Sequence, residues 1–161
     1  MPKIQEFDFG ELDELYREVI IDHYRNPRNR RQIEDADIRC EGSNPFCGDG
    51  VVIQLKLDDQ GRVSDVAYQG QGCSVSQASA SILTDMLKGK TPKEGETISR
   101  SFHQMMLGSK LSDEAMKTLG NLEAFQGVRK FPIRIKCALL AWDALESGLR
   151  KHHPKSKSKP S

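Results

Sequence analysis

Three of the four cysteines lie in sequence contexts that favour metal binding or sulfur chemistry. Cys47 follows Pro45 in a turn-rich loop, Cys73 follows a glycine at the start of a predicted helix, and Cys137 falls in the first turns of the last predicted helix. The separations are 26 residues (73 − 47) and 64 residues (137 − 73), so only the folded chain can bring these sulfurs together. Asp49, two residues after Cys47, can add a carboxylate oxygen.

Three thiolates and one carboxylate suit two kinds of site. Tetrahedral zinc accepts cysteine and aspartate ligands, and an iron–sulfur cluster is held mainly by thiolates. No histidine lies within a few residues of these cysteines, and we interpret His23 and His103 as surface or packing residues. The simplest predicted ligand set is Cys47, Asp49, Cys73 and Cys137. A turn at Gly48–Gly50 is the alternative explanation for Asp49.

Local charge favours the thiolate form at two of the cysteines. Cys73 is predicted at or near a helix N-cap, where unpaired N–H groups and the helix dipole stabilise negative charge. Cys137 gains from the same effect, and its neighbours Arg134 and Lys136 add positive charge. Cys40 has no such context, and we interpret it as a structural residue.

The composition predicts one cytoplasmic domain with reduced thiols. The 161 residues carry a net charge of +1, which gives no basic surface for nucleic acid and no strong acidic field. We see no apolar signal segment at the N-terminus and no apolar run long enough for a membrane span. Residues 1–150 are predicted to form a single domain, and the Lys/Ser/Pro-rich residues 151–161 a disordered tail.

The hydrophobic pattern predicts an α+β fold, with a small antiparallel sheet of about three strands packed against several helices. Two alternating segments joined by an Asp-Asp-Gln-Gly turn indicate a hairpin. The predicted strands are residues 51–57 and 62–69, with a third near 37–41; the predicted helices are 11–25, 74–87, 91–108, a short one from 112, and 132–149. The basic stretch 25–31 is either a solvated loop or a contact for an acidic partner.

Three ordered motifs resemble the U-type iron–sulfur assembly proteins. They are Asn-Pro-x-Cys-Gly-Asp at 44–49, Gly-x-Gly-Cys-Ser at 70–74 and Arg-Ile-Lys-Cys at 134–137. The signature Asp-His-Tyr-x-Asn-Pro-Arg at 22–28 matches as well. The resemblance covers roughly residues 12–149 and implies the SufU/IscU-like α+β fold.

Two features resemble the SufU branch of this family rather than the IscU branch. IscU scaffolds carry a histidine directly before the third motif cysteine, whereas this chain has Lys136. The SufU branch also has an extra segment before the last helix, which residues 96–127 resemble.

The SufU resemblance implies a zinc-dependent sulfur acceptor for the SUF system of iron–sulfur cluster assembly. Such proteins take persulfide sulfur from the cysteine desulfurase SufS and pass it to the SufBCD assembly complex. By this resemblance the zinc ligands are Cys47, Asp49, Cys73 and Cys137, the accepting thiolate is Cys47, and Arg134 supports the partner interface or the site. A protein of this kind is a persulfide carrier that acts with a desulfurase, rather than a stand-alone enzyme.

Other interpretations of the same residues remain open. The same ligands could hold an iron–sulfur cluster that is assembled on this protein as a scaffold and then transferred, although the missing histidine speaks against it. A purely structural zinc domain would favour closely spaced cysteine pairs, which the chain lacks. A cysteine hydrolase would need a supporting histidine.

Overall fold

The computed structural model describes residues 14–44 and 48–152, and its fold is the predicted α+β class. The helices are α1 (Glu14–Arg25), α2 (Ser74–Leu87), α3 (Pro92–Met106), α4 (Asp113–Leu119) and α5 (Pro132–His152), with a 3-10 helical segment, Gly120–Lys130, before α5; the strands are β1 (Ile38–Asn44), β2 (Asp49–Leu57) and β3 (Val63–Gln71). Across the described ranges no helix is both long and apolar enough to cross a membrane.

Two predictions at the ends of the chain fall outside these ranges. The predicted start of the first helix, at residue 11, and the predicted tail both include residues that the structure does not describe. At the other end α5 continues to His152, two residues beyond the predicted domain boundary. The predicted domain limits and the disordered tail stay predictions.

The sheet is a three-stranded antiparallel sheet in the order β1-β2-β3. Alternation along β2 turns Val51, Ile53 and Leu55 toward the core, where each is at most 5 % exposed. The pairs Asn44–Asp49 and Gly50–Gln71 bring the end of β1, the start of β2 and the end of β3 to one edge of the fold. This edge is where the motif residues collect.

Helices α2 and α5 pack against the inner face of the sheet. At Gly148 on α5, an added Cβ would lie 2.2 Å from Cys40 Sγ on β1, so the helix approaches the strand as closely as only glycine permits. Cys40 is 1 % exposed, and burial raises the pKa of its thiol to about 12. Its interpretation as a structural residue agrees with this packing.

Helix ends follow the capping signals in the sequence. Thr91 and Glu94 form the predicted capping box at the start of α3, and the Ser112 hydroxyl caps α4 by accepting from Ala115 N–H. Gly95 does not interrupt α3. A Cβ at Gly95 would lie 3.0 Å from a methyl group of Leu87, so this glycine permits close packing against the end of α2.

The basic stretch after α1 is a loop whose arginines bind within the chain. Arg28 forms an ion pair with Asp22 at 2.7 Å, and Arg31 forms one with Asp65 at 2.6 Å. Arg30 donates to the carbonyl oxygen of Gly70 at 3.0 Å. These contacts tie the loop to α1 and to β3. The contact with an acidic partner stays a prediction.

A histidine links α3 to α5 through two carboxylates. His103 Nε2 lies 2.5 Å from Asp143 Oδ1, and its Nδ1 lies 2.9 Å from the Ser99 carbonyl oxygen and 3.6 Å from Glu146 Oε2. The Ser99 hydroxyl also donates to Glu146. The hydrogen bond to Asp143 is the main cause that raises the pKa of His103 from 6.5 to about 8, so the ring is charged at neutral pH.

This cluster predicts a pH-dependent stability. Because the pKa of His103 is raised in the folded state, its contribution is complete below pH 6.5 and is lost as the pH rises through about 8. We expect a loss on the order of 1 kcal/mol, since the exposed Asp143 weakens the pair through solvent screening. Urea unfolding at pH 6 and pH 9 measures it, and Asp143→Asn should flatten the dependence. An equal pH dependence in that variant would contradict the assignment.

Candidate metal centre

Asp49, Cys73 and Cys137 meet at the edge of the sheet where the strand ends collect. One ligand atom from each lies within 4.8 Å of the others, and the three residues are 3 %, 2 % and 0 % exposed. Asp49 opens β2, Cys73 precedes α2 and Cys137 lies in the second turn of α5. Three of the four predicted ligands are therefore neighbours, while Cys47 lies outside the described residues.

Cys73 occupies the N-cap position of α2, as the glycine-rich motif predicts. Its backbone N–H donates to Asp49 Oδ1 at 2.8 Å, while Asp49 Oδ2 lies 3.8 Å from the Cys73 sulfur. One carboxylate oxygen is thus held by the backbone and the other faces the thiols. The Ser76 hydroxyl donates to the Cys73 carbonyl at 3.1 Å and tightens the first turn of the helix.

Gly72 makes this arrangement possible. Its φ is +139°, a conformation that side chains rarely adopt, and an added Cβ would lie 2.0 Å from Asp49 Oδ1. Glycine is needed both for the turn between β3 and α2 and for the space that the carboxylate occupies.

The surroundings of Cys73 favour its thiolate. A hydrogen bond from the Cys137 thiol is the main cause that lowers the pKa of Cys73, and the Ser76 N–H and Arg134 act in the same direction. Burial and the Asp49 carboxylate oppose the shift. The prediction that Cys73 is readily ionised agrees with this direction, but the neighbouring thiol contributes more than the sequence indicated.

Cys137 has polar neighbours from two elements. Arg134 Nη1 lies 3.8 Å from its sulfur and Asn44 Nδ2 lies 4.0 Å away, while the sulfur lies 3.7 Å from the Ile133 carbonyl oxygen. Arg134 was expected near the site from its position in the third motif. Asn44 belongs to the first motif but lies beyond the predicted strand near 37–41, so its contact with Cys137 on α5 had no signal in the sequence.

The donor set fits zinc. Two thiols and a carboxylate, all buried and within 4.8 Å, supply three ligands of the kinds that tetrahedral zinc accepts. A buried carboxylate beside two ionisable thiols is costly without a cation, because all three ligands are negative when ionised. Within residues 14–44 and 48–152 no histidine joins the group. His23 instead forms a hydrogen bond between its Nδ1 and Ser81 Oγ at 2.8 Å.

Fold and site together define a small α+β domain with a cysteine–carboxylate centre, and comparisons with known proteins identify its family. The NifU-like N-terminal domain family matches residues 15–159. The chain belongs to this family, which confirms the resemblance inferred from the three motifs.

Individual relatives match over most of their length. The zinc-dependent sulfurtransferase SufU of Bacillus subtilis is 48 % identical over 140 residues, which cover 87 % of this chain and 92 % of that protein. The iron–sulfur cluster assembly scaffold protein IscU of Streptococcus pyogenes is 36 % identical over 142 residues, covering 88 % and 87 %. A crystal structure from Fervidobacterium islandicum, described as a putative iron–sulfur cluster assembly scaffold protein for the SUF system, aligns with a TM-score of 0.76 and 34 % identity, covering 82 % and 94 %.

The Gly72 geometry yields a test with a matched control. In Gly72→Ala the new methyl group must displace the Asp49 carboxylate, so zinc affinity should fall at least about 10-fold. Gly61→Ala introduces the same substitution at another positive φ, +79°, with nothing within 4 Å of its Cβ, and should leave affinity unchanged. Competition with a chromophoric chelator measures both. Equal affinity in the two variants would contradict the role assigned to Gly72.

Proposed function

We propose that this protein is a zinc-dependent acceptor and carrier of persulfide sulfur in iron–sulfur cluster assembly. The observation that carries the proposal is the buried group of Asp49, Cys73 and Cys137, whose ligand atoms lie within 4.8 Å. Similarity to a protein named zinc-dependent sulfurtransferase supports both the metal and the activity.

Cys47 completes the proposed ligand set. It lies two residues before Asp49 in the chain, and two residues span at most about 7 Å, so its thiol can reach the group. The other three ligands are buried and belong to a strand end or to helices, whereas Cys47 belongs to the segment that connects β1 to β2. We assign Asp49, Cys73 and Cys137 as the buried ligands. As the SufU resemblance implies, we assign Cys47 as the reacting thiolate.

Sulfur acceptance is a thiol–persulfide exchange. The Cys47 thiolate attacks the outer sulfur of a cysteine persulfide on the donor protein, the donor S–S bond breaks, and the donor cysteine leaves as a thiolate. Cys47 then carries the persulfide, and no external oxidant or reductant is consumed. When bound, zinc keeps its cysteine ligands ionised at neutral pH and protects them from oxidation.

The proposed partners follow from this chemistry and from the family. The donor is a cysteine desulfurase of the SufS type, which supplies a persulfide, and the receiver is the SufBCD assembly complex. Arg134 extends from α5 beside Cys137 and would steady the site or contact the donor. We place the reaction in the cytoplasm, where thiols stay reduced; in the structure Cys40, Cys73 and Cys137 form no disulfide.

A cluster-assembly scaffold is the second candidate. The same thiols and carboxylate could hold an iron–sulfur cluster, and relatives that match over most of this chain are named scaffold proteins. Lys136, in the place where IscU scaffolds have a histidine, favours the sulfur carrier.

The two candidates predict different effects on a desulfurase. The zinc-loaded protein should strongly stimulate alanine production from cysteine by SufS in a mild reductant, because it removes the persulfide that stalls the enzyme. Cys47→Ala should abolish the stimulation, and Cys40→Ala, which removes a buried thiol away from the site, should preserve it.

Intact-protein mass spectrometry then tests whether one sulfur atom is gained. Undiminished sulfur transfer to Cys47→Ala would contradict the assignment of the acceptor. No stimulation by the unaltered protein would contradict the carrier and favour the scaffold, and reconstitution with iron and sulfide would follow.

A further inference from the structure

Asn44 is a buried polar residue at the edge of the proposed metal centre. It ends β1, pairs with Asp49 across the sheet and is 6 % exposed. Ile38 and Cys40 precede it in the inward row of β1, so an apolar residue would be the ordinary choice here. A buried amide is stable only where its polar atoms find partners, and its Nδ2 faces the Cys137 sulfur at 4.0 Å.

The two buried sulfurs have different surroundings. Cys137 receives N–H donors from Asn44 and from Arg134, one neutral and one charged. Cys73 lies against the Asp49 carboxylate, with Oδ2 at 3.8 Å. The donors at Cys137 therefore come from side chains, whereas Cys73 is stabilised by the Ser76 N–H and by its N-cap position on α2.

We propose that Asn44 is a positioning residue of the metal centre, which donates its amide N–H to the Cys137 sulfur and orients that thiolate as a ligand. The inference rests on the proposed metal centre. N–H donors to a ligand sulfur draw electron density from it, and partners of this kind fix ligand orientation. The amide does so without adding charge. It thereby acts together with the charged Arg134, which contacts Cys137, to offset ligands that are negative when ionised.

Asn44→Asp is the most informative variant. The aspartate side chain has the shape of asparagine but no N–H donor, and it adds one carboxylate charge close to Cys73, Cys137 and Asp49. Asn44→Asp should lower zinc affinity by about 10-fold or more. In the cobalt-loaded protein, the thiolate-to-cobalt charge-transfer band should move to lower energy, because the sulfur becomes more electron-rich.

Two further variants separate this role from packing. Asn44→Ala removes the donor without adding charge, so the band should move in the same direction with a smaller loss of affinity. Asn29→Asp makes the same chemical change at another side-chain donor, whose Nδ2 lies 3.0 Å from Thr84 Oγ1, and should leave band and affinity unchanged. Circular dichroism confirms that each variant is folded.

The outcomes distinguish this inference from the function on which it rests. An unchanged band and affinity in Asn44→Asp and Asn44→Ala, or an equal change in Asn29→Asp, would overturn the role of Asn44 alone. Absence of a thiolate-to-cobalt band in the unaltered protein would overturn the metal centre together with this inference.

Discussion

The hydrogen bond from the Cys73 backbone N–H to Asp49 is the contact on which the site depends. It joins the first residue of β2 to the N-cap of α2, so one carboxylate organises the junction of sheet and helix. Asp49 can reach this position only because Gly72 has no side chain. The helix N-terminus and the carboxylate therefore face each other directly, and the Cys73 thiol is left beside the second carboxylate oxygen.

Helix α5 forms the other side of the site and carries Cys137. Two contacts along its length help to set its position. Gly148 packs directly on Cys40 of β1, and the carbonyl oxygen of Ala138 accepts from the Ser79 hydroxyl on α2 at 2.7 Å. Cys137 lies next to the second contact. Because these helices are packed on one another and on the sheet, the distance between the two thiols is a property of the core rather than of a loop. A centre built this way holds Asp49, Cys73 and Cys137 in place through the packing of the sheet and two helices.

Much of this arrangement could be predicted from the sequence, because each motif residue has a local structural signal. The alternation of apolar and polar residues predicted the strands. The glycines before Cys73 predicted the start of a helix, where a thiolate is stabilised. The three motifs also predict the family, which the match over residues 15–159 confirms. Chemistry and family resemblance predicted that Cys73 and Cys137, 64 residues apart, belong to one site. The structure brings these two thiols together.

Contacts between side chains from distant elements could not be predicted in this way. The basic stretch after α1 gave no sign that Arg31 pairs with Asp65 or that Arg30 binds the β3 backbone. The sequence predicts His103 to be a surface or packing residue, yet Asp143, 40 positions away, makes it a charged link between two helices. Asn44 was visible as part of a motif, but its burial beside a sulfur depends on where α5 lies. Hydrophobic periodicity indicates which face of a helix or strand is buried. It does not indicate which polar atom of another element contacts that face.

X-ray absorption at the zinc edge is the most direct test of the central claim that one carboxylate and three cysteines form a single metal centre. For the zinc-loaded protein the account predicts three sulfur ligands at about 2.3 Å and one oxygen ligand at about 2.0–2.2 Å, with no imidazole scattering. Fewer than three sulfur ligands, or a clear histidine contribution, would contradict it.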